Sequence, residues 1–288
     1  GPLRPCSRQP RAYSGRVTET SQTPAPSTVA DSSTPPRTAV VTGAPSGIGR
    51  ATALELARRG WRVYAAGRRA ERLEQLAAQV RAEGLMGEVR PAPLDVTDAA
   101  AVGALADRVA AEGGADTLLN IAGGAQGVDA VADGDPSGWE WMFRVNVLGT
   151  LNACRAFLPL LRAHGEGTVL NLTSTAAIVA YEGGAGYNAA KMGAHGLTGA
   201  LRLEEAEHNV RVVEVLPGMV HTEEFSKNRL GGDQSAADAV YAGVEKPLTA
   251  EDVAEVCVHA VELPHHVNLD QIVMRPVAQA AQHKVIRR

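Results

Sequence analysis

From Thr38 onward, short apolar β-branched runs alternate with amphipathic stretches of helical spacing, and few architectures accept such a chain. Strands are predicted at 38–42 (TAVVT), 61–67 (WRVYAAG), 88–95 (EVRPAPLD), 115–122 (ADTLLNIA), 167–174 (GTVLNLTS), 210–217 (VRVVEVLP) and 268–276 (NLDQIVMRP). Between them the apolar spacing predicts helices over 47–60, 68–84, 98–112 and 136–164, one around Tyr187–Lys191, and one over 249–263. The last opens with capping-box spacing, Thr249 to Asp252, and lines Val253, Val256, Cys257, Ala260 and Val261 on one face. Seven strands in strict alternation with helices mean a parallel, doubly wound α/β sheet with right-handed crossovers and helices on both faces. No internal repeat or second domain is visible, so residues 37–288 are expected to form one domain.

The first 36 residues do not share this pattern. They are rich in Pro, Ser and Thr with few large apolar side chains, and are expected to form a disordered tail. Four Arg and no acid in the first 16 residues would also fit a transit peptide, the less favoured reading. The Gly-Pro opening, without Met, fits a cloning remnant or a start further upstream. A net charge of −4 gives no basic surplus for nucleic acid or an anionic membrane. No apolar run approaches the roughly 18 residues of a membrane span. Three cysteines, far apart and without a C-x-x-C pair, argue against disulfides or zinc and for a reducing, cytoplasmic setting. The eight scattered histidines suggest no metal site.

Directly after the first strand stands TGAPSGIGR, with Gly43, Gly47 and Gly49 between strand and helix. That context is the one a Rossmann-type dinucleotide site requires: glycines turn the chain tightly and bring backbone N–H groups to a pyrophosphate at a helix N-terminus. The spacing is G-x-x-x-G-x-G rather than the commoner G-x-G-x-x-G. At the end of the second strand an NAD site would want an acid for the ribose 2′-OH. This chain places Arg68 and Arg69 there instead. Guanidinium groups suit a 2′-phosphate, and cations at a helix N-terminus otherwise oppose its dipole, so NADP(H) is the expected cofactor. Asp95, closing the third strand, is placed to meet the adenine.

Tyr187 and Lys191, at i and i+4, share a helix face. The chain has only four lysines against 24 arginines, so a lysine here suggests a need for a compact ammonium. A positive charge about 4 Å from the phenol, at an effective dielectric near 20, would be worth roughly 4 kcal/mol, and is expected to bring Tyr187 close to neutrality. Ser174 ends a buried strand 13 residues earlier and can bring a hydroxyl to the same place. Asn146, in FRVNVLGT on the long helix, supplies a buried amide that must find partners.

Together, T-G-x-x-x-G-I-G, the Asp closing strand three, Asn146, Ser174, Tyr-x-x-x-Lys and PGMVHT resemble the short-chain dehydrogenase/reductase superfamily over residues 38–275. The resemblance implies that Tyr187 is the acid/base, that Ser174 orients the substrate carbonyl, and that Lys191 binds the nicotinamide ribose and lowers the pKa of Tyr187. Asn146 would hold a water relaying protons to Lys191, and Thr222 would meet the nicotinamide carboxamide. It further implies cofactor contacts from Pro45, Ser46 and Ile48 in the first turn, and from Val96 after Asp95. Asn120, Ala122 and Gly123 would line the floor, with Pro217, Gly218 and Val220 leading to Thr222. One departure stands out: the family's N-N-A-G is NIAG here, Ile121 replacing the second Asn, which puts local geometry rather than catalysis in question. A homotetramer is also implied, and the small and apolar residues over 136–164 and 187–208 would allow such packing.

TEEFSKNRLGGD, followed by the last helix and strand, resembles the NADP-dependent 3-hydroxy acid (serine-type) dehydrogenase branch, in which Arg229 could clamp a substrate carboxylate. Arg229 as lid packing is an equal alternative. Residues 219–247 are expected to form a substrate lid over the nicotinamide. The expected activity is hydride transfer between nicotinamide and a small-molecule carbonyl or secondary alcohol. A cofactor-recycling epimerase or dehydratase, or a non-catalytic dinucleotide sensor, are the alternatives on the same fold.

Overall fold

The computed structural model describes residues 36–222 and 224–288; the expectation for the N-terminal tail, up to residue 35, lies outside the described residues. The elements run β1 (Thr38–Thr42), α1 (Gly47–Arg58), β2 (Arg62–Gly67), α2 (Ala70–Ala82), β3 (Glu88–Pro93), α3 (Ala99–Ala111), β4 (Thr117–Asn120), α4 (Pro136–Phe143), α5 (Gly149–His164), β5 (Thr168–Leu172), α6 (Ala185–Glu205), β6 (Arg211–Pro217), β7 (Val220–His221), α7 (Phe225–Arg229), α8 (Gln234–Tyr241), β8 (Leu248–Thr249), α9 (Ala250–Glu262), β9 (Gln271–Met274), β10 (Gln279–Ala281) and β11 (Lys284–Val285). The main sheet has the order β3-β2-β1-β4-β5-β6-β9, with all seven strands parallel. The predicted doubly wound seven-stranded sheet is therefore the observed one.

Burial on both faces explains the near-continuous apolar runs of the central strands. α1, α2 and α9 cover one face through Leu56, Leu73, Leu76 and Val258, and α3, α5 and the end of α6 cover the other through Val109, Phe157, Leu161 and Leu201. The strand order reverses between β1 and β4, so the carboxyl ends of these strands open a crevice where ligands bind in such folds.

The opposite end of the sheet is closed by arginines. Arg37 donates to Asp116 at 2.9 Å and lies over the Trp61 ring at 4.0 Å, while Asp116 also accepts from the Thr38 amide at 2.8 Å. Buried Arg211 donates to the carbonyls of Val261, Leu263, Pro264 and Val267, tying β6 to the end of α9.

Four features differ from the sequence expectation or add to it. The long helix over 136–164 contains a π turn at Arg144–Leu148, between α4 and α5. β3 stops at Pro93, before Asp95, which lies in the following turn. Residues 219–247, expected as a lid, carry α7 and α8, and β7 pairs with β8 at their base. A small hairpin, β10–β11, follows the last sheet strand and had no signature in the sequence.

On the outer side, Arg162 of α5 holds Glu205 of α6 through two hydrogen bonds, 2.9 and 2.5 Å long, although the Glu205 side chain is only 2% exposed. Removing Arg162 would strand a buried carboxylate. Arg162→Ala should lower the unfolding free energy in urea by about 3 kcal/mol, with partial recovery on adding Glu205→Gln. A loss below about 0.5 kcal/mol would show that the pair is a solvated surface contact.

Candidate active site

The glycine turn after β1 is built by crowding. Gly43 has φ +71°, and a Cβ there would lie 2.8 Å from the Ala122 nitrogen; a Cβ on Gly49 would lie 2.1 Å from the Gly43 carbonyl oxygen. Both positions therefore exclude any side chain, and the β1–α1 turn packs directly on the end of β4. Thr42 Oγ1 accepts from the amides of Ile121 and Ala122, each at 3.1 Å, fixing the same junction. Ile121 fills the core beneath it, so the NIAG departure is an apolar contact with that layer. Pro45 packs against the Cα of Gly67 at the end of β2. The first turn of α1 holds no acid, and the N-cap residue Ser46 makes no side-chain cap. The first N–H groups of the helix therefore receive no side-chain cap from within the turn.

Of the arginines after β2, Arg69 donates to Ser46 Oγ at 2.7 Å and to Glu224 of the lid at 2.9 Å. Arg68 has no ion-pair partner among the described residues, but its charge acts on Asp95. Burial pushes the Asp95 carboxyl up, and bonds from Thr97 together with Arg68 outweigh it, leaving the group below its usual range. Asp95 Oδ1 accepts from the Thr97 amide and hydroxyl at 2.9 and 2.8 Å, and the Val96 carbonyl accepts from Asn152. The side chain of Asn120 points into the sheet. Its buried amide donates to Asn171 at 2.9 Å and so ties β4 to β5.

At the reacting end, Gly123 marks the meeting point. A Cβ there would lie 2.6 Å from Asn146 Oδ1 and 3.2 Å from Lys191 Nζ. The π turn carries Asn146, whose Nδ2 donates to the carbonyls of Gly124 and Met142, both at 2.8 Å, while its Oδ1 accepts from the Gly124 amide. Ser174 caps the short turn after β5, accepting from the Ala176 amide at 3.1 Å. The ring of Tyr187 is flanked by Phe225 at 5.8 Å and by the Arg229 guanidinium at 5.5 Å. Arg229 itself donates to the Gly127 carbonyl, the Tyr181 hydroxyl and the Gly183 carbonyl. The structure thus brings together Asn146, Ser174, Tyr187, Lys191 and Arg229. Thr222 faces the phosphate turn, its methyl 3.6 Å from where a Gly47 Cβ would stand.

The electrostatics correct the sequence argument. Lys191 Nζ lies 5.8 Å from the Tyr187 ring centre and donates to the Leu172 carbonyl at 3.3 Å. Burial pushes the Tyr187 phenol well above its ordinary value, against the opposing effects of Ser174 and Arg229. Burial also lowers Lys191 to about 8, opposed by the negative charge of Glu214. Attraction between the two groups is outweighed by desolvation, which acts on both.

Several residues of the site escaped the sequence reading. Glu214, fully buried on β6, accepts from the Thr173 hydroxyl at 2.6 Å and faces His195 Nδ1 at 2.9 Å. His195 lies one helical turn beyond Lys191. Gln279 of β10 accepts from the Met219 amide at 2.8 Å, and Gln282 contacts Thr175 beside Ser174. Only the charged residue within the apolar run of β6 could have signalled one of them.

A family model described as short chain dehydrogenase matches residues 37–231. The chain is 50% identical over 245 residues to an uncharacterised oxidoreductase of Mycobacterium tuberculosis, covering 85% of this chain and 93% of that one. It is 40% identical over 243 residues to sulfoacetaldehyde reductase 2 of Chromohalobacter salexigens, covering 84% and 94%. The structure superposes with a TM-score of 0.80 on the closed form of serine dehydrogenase complexed with NADP+, at 33% identity, covering 87% of this chain and 99% of that one.

Between the folded value of about 8 for Lys191 and the ordinary lysine value near 10.4, the unfolded chain binds a proton that the folded protein does not. Stability from this group therefore rises with pH across that window. Lys191→Met should remove the rise, worth up to about 3 kcal/mol, in urea unfolding of cofactor-free protein. Parallel pH dependence of the two proteins would contradict the assignment.

Proposed function

The chain belongs to the short-chain dehydrogenase family, and on that premise we propose that it is an NADP(H)-dependent oxidoreductase. It would interconvert a carbonyl and an alcohol, secondary where the substrate is a ketone, on a small anionic substrate. The observation that carries the reading is the convergence of Ser174, Tyr187, Lys191 and Asn146 at the carboxyl edge of the sheet. Beside them stands a phosphate turn whose helix N-terminus has no acid of its own. These residues fit a dinucleotide: the turn from Gly43 through Ser46, Gly47, Ile48 and Gly49 offers N–H groups to a pyrophosphate. Asp95 and Val96 would border the adenine, and Arg68 and Arg69 a 2′-phosphate. Ala122 and Gly123 would form the floor, and Pro217, Gly218, Val220 and Thr222 the wall on the nicotinamide side.

When bound, NADP(H) supplies or takes up the hydride. Tyr187 would give a proton to the carbonyl oxygen in reduction, or take it from the alcohol in oxidation, with Ser174 donating to the same oxygen. A phenol held protonated by burial suits the donor role. Lys191 would hold the ribose hydroxyls and, with its depressed pKa, exchange protons with Tyr187 near neutral pH. Asn146 would position the proton path at Gly123.

Arg229 supports the anionic substrate. Three of its interactions are made within the protein, yet its guanidinium lies over the Tyr187 ring, within reach of a molecule held there. Sulfoacetaldehyde bears a sulfonate and serine a carboxylate, and relatives are named for acting on each. A 3-oxo or 3-hydroxy acid fits the same pattern. Assembly as a homotetramer belongs to this reading and would be contradicted by a monomer in light scattering.

The test is NADPH absorbance against paired 3-oxo acids and their esters. Tyr187→Phe should bind NADPH normally but lose turnover by at least about 100-fold. Arg229→Ala should raise KM for the acid by about tenfold or more, and far less for the ester. Near-normal turnover of Tyr187→Phe would overturn the acid/base role, and equal effects on acid and ester would overturn the anionic substrate.

A further inference from the structure

A carboxylate from the lid reaches into the arginine cluster at the end of β2. Glu224 lies 2.8 Å from Arg69 Nη1 through Oε2, and Arg72 Nη2 stands 3.7 Å from its Oε1. The second terminal nitrogen of Arg69 donates to Ser46 Oγ at the mouth of the phosphate turn, 2.7 Å away. The guanidinium fork of Arg69 is therefore occupied by one internal anion and one hydroxyl. The hydrogen bond from Arg69 lowers the Glu224 carboxyl below its ordinary range against the effect of burial, with Ser46 and Arg72 adding to it. Glu224 is accordingly ionised at neutral pH.

These are the donors a 2′-phosphate would need, and that group brings about −1.5 to −2 charges of its own. Both anions cannot share the fork of Arg69 without repulsion. In sites for the unphosphorylated dinucleotide an acid at this edge comes from the strand and accepts from the 2′-OH. Here the acid comes from a different element, 155 positions further along the chain.

That element leads to the chemistry. Glu224 immediately precedes α7, and the next residue, Phe225, donates its amide to Thr222 Oγ1 at 3.4 Å and sets its ring against Tyr187. The last residue of α7, Arg229, donates to the Tyr181 hydroxyl at 2.8 Å and lies over the Tyr187 ring. A five-residue helix thus joins the arginine cluster at one end to the catalytic phenol at the other.

We infer that Glu224 occupies the 2′-phosphate subsite as an internal anion that a phosphorylated dinucleotide must displace. The same carboxylate then limits the preference for NADP(H) over NAD(H) and ties arrival of the phosphorylated cofactor to the position of α7. The inference rests on the reading of the crevice as an NADP(H) site. Because the Arg69–Glu224 pair is partly exposed, displacement costs little, and Glu224 moderates binding without preventing it.

The experiment is fluorescence titration of the full chain with NADPH and with NADH, comparing wild type, E224Q, R69A and the double variant. E224Q should tighten NADPH by about five- to tenfold and change NADH by less than about twofold. In the R69A background the same substitution should have no effect, since the anion and the phosphate compete for Arg69. Unchanged or weaker NADPH binding by E224Q, or an equal gain for NADH, would overturn the inference. The two readings fail separately. Wild type binding NADH as tightly as NADPH would overturn the cofactor assignment, whereas the change on E224Q alone judges the subsite.

Discussion

The site depends on a backbone approach too close for any side chain. The helix start at Gly49 rests on the carbonyl of Gly43, Gly43 rests on the backbone at Ala122, and Thr42 binds the two amides that leave β4. This stack brings the carboxyl end of β1, the N-terminus of α1 and the loop after β4 to one place. Because both faces of the sheet are covered by helices, its carboxyl edge is where backbone N–H groups and polar side chains remain available to a ligand. The opposite edge is closed by Arg37 with Asp116 and by Arg211 on four carbonyls.

Desolvation sets the character of the reacting groups. Tyr187 and Lys191 are both buried, and both are pushed toward their neutral forms. The phenol is thereby kept as a proton donor, and the amine is brought to where it can exchange protons in the neutral range. Glu214 counters this on Lys191 from beneath α6, held by Thr173 and His195. Phe225 and Arg229, at the two ends of α7, meet the same region, so the environment of the phenol is shared between the sheet and α7.

Much of this was legible in the sequence because it is local or periodic. Alternation of β-branched runs with helical spacing is enough for the sheet, and Gly43, Gly47 and Gly49 follow the first strand as a phosphate turn must. Tyr187 and Lys191 share a helix face by spacing alone. What stayed hidden is long-range. Nothing near Glu224 points to Arg69, and nothing in the C-terminal residues predicts that Gln279 braces Met219 or that Gln282 reaches Thr175. The partner of the Asn120 side chain was equally hidden: its amide reaches Asn171 on the neighbouring strand. The π turn at Asn146 leaves no mark in an apolar pattern that reads as one continuous helix. The pKa of Tyr187 was misjudged because spacing reveals the neighbouring charge and not the depth of burial.

Net hydride transfer at the face of Tyr187 is the chemistry on which the proposed function stands or falls. The most direct measurement is incubation with each C4-deuterated epimer of NADPH and a 3-oxo acid, followed by mass spectrometry of the product. The account predicts that one epimer delivers deuterium to the new carbinol carbon, with NADPH oxidised in equimolar amount to the alcohol formed. Product without deuterium and without NADPH consumption would show a cofactor-recycling isomerase or dehydratase, and would contradict it.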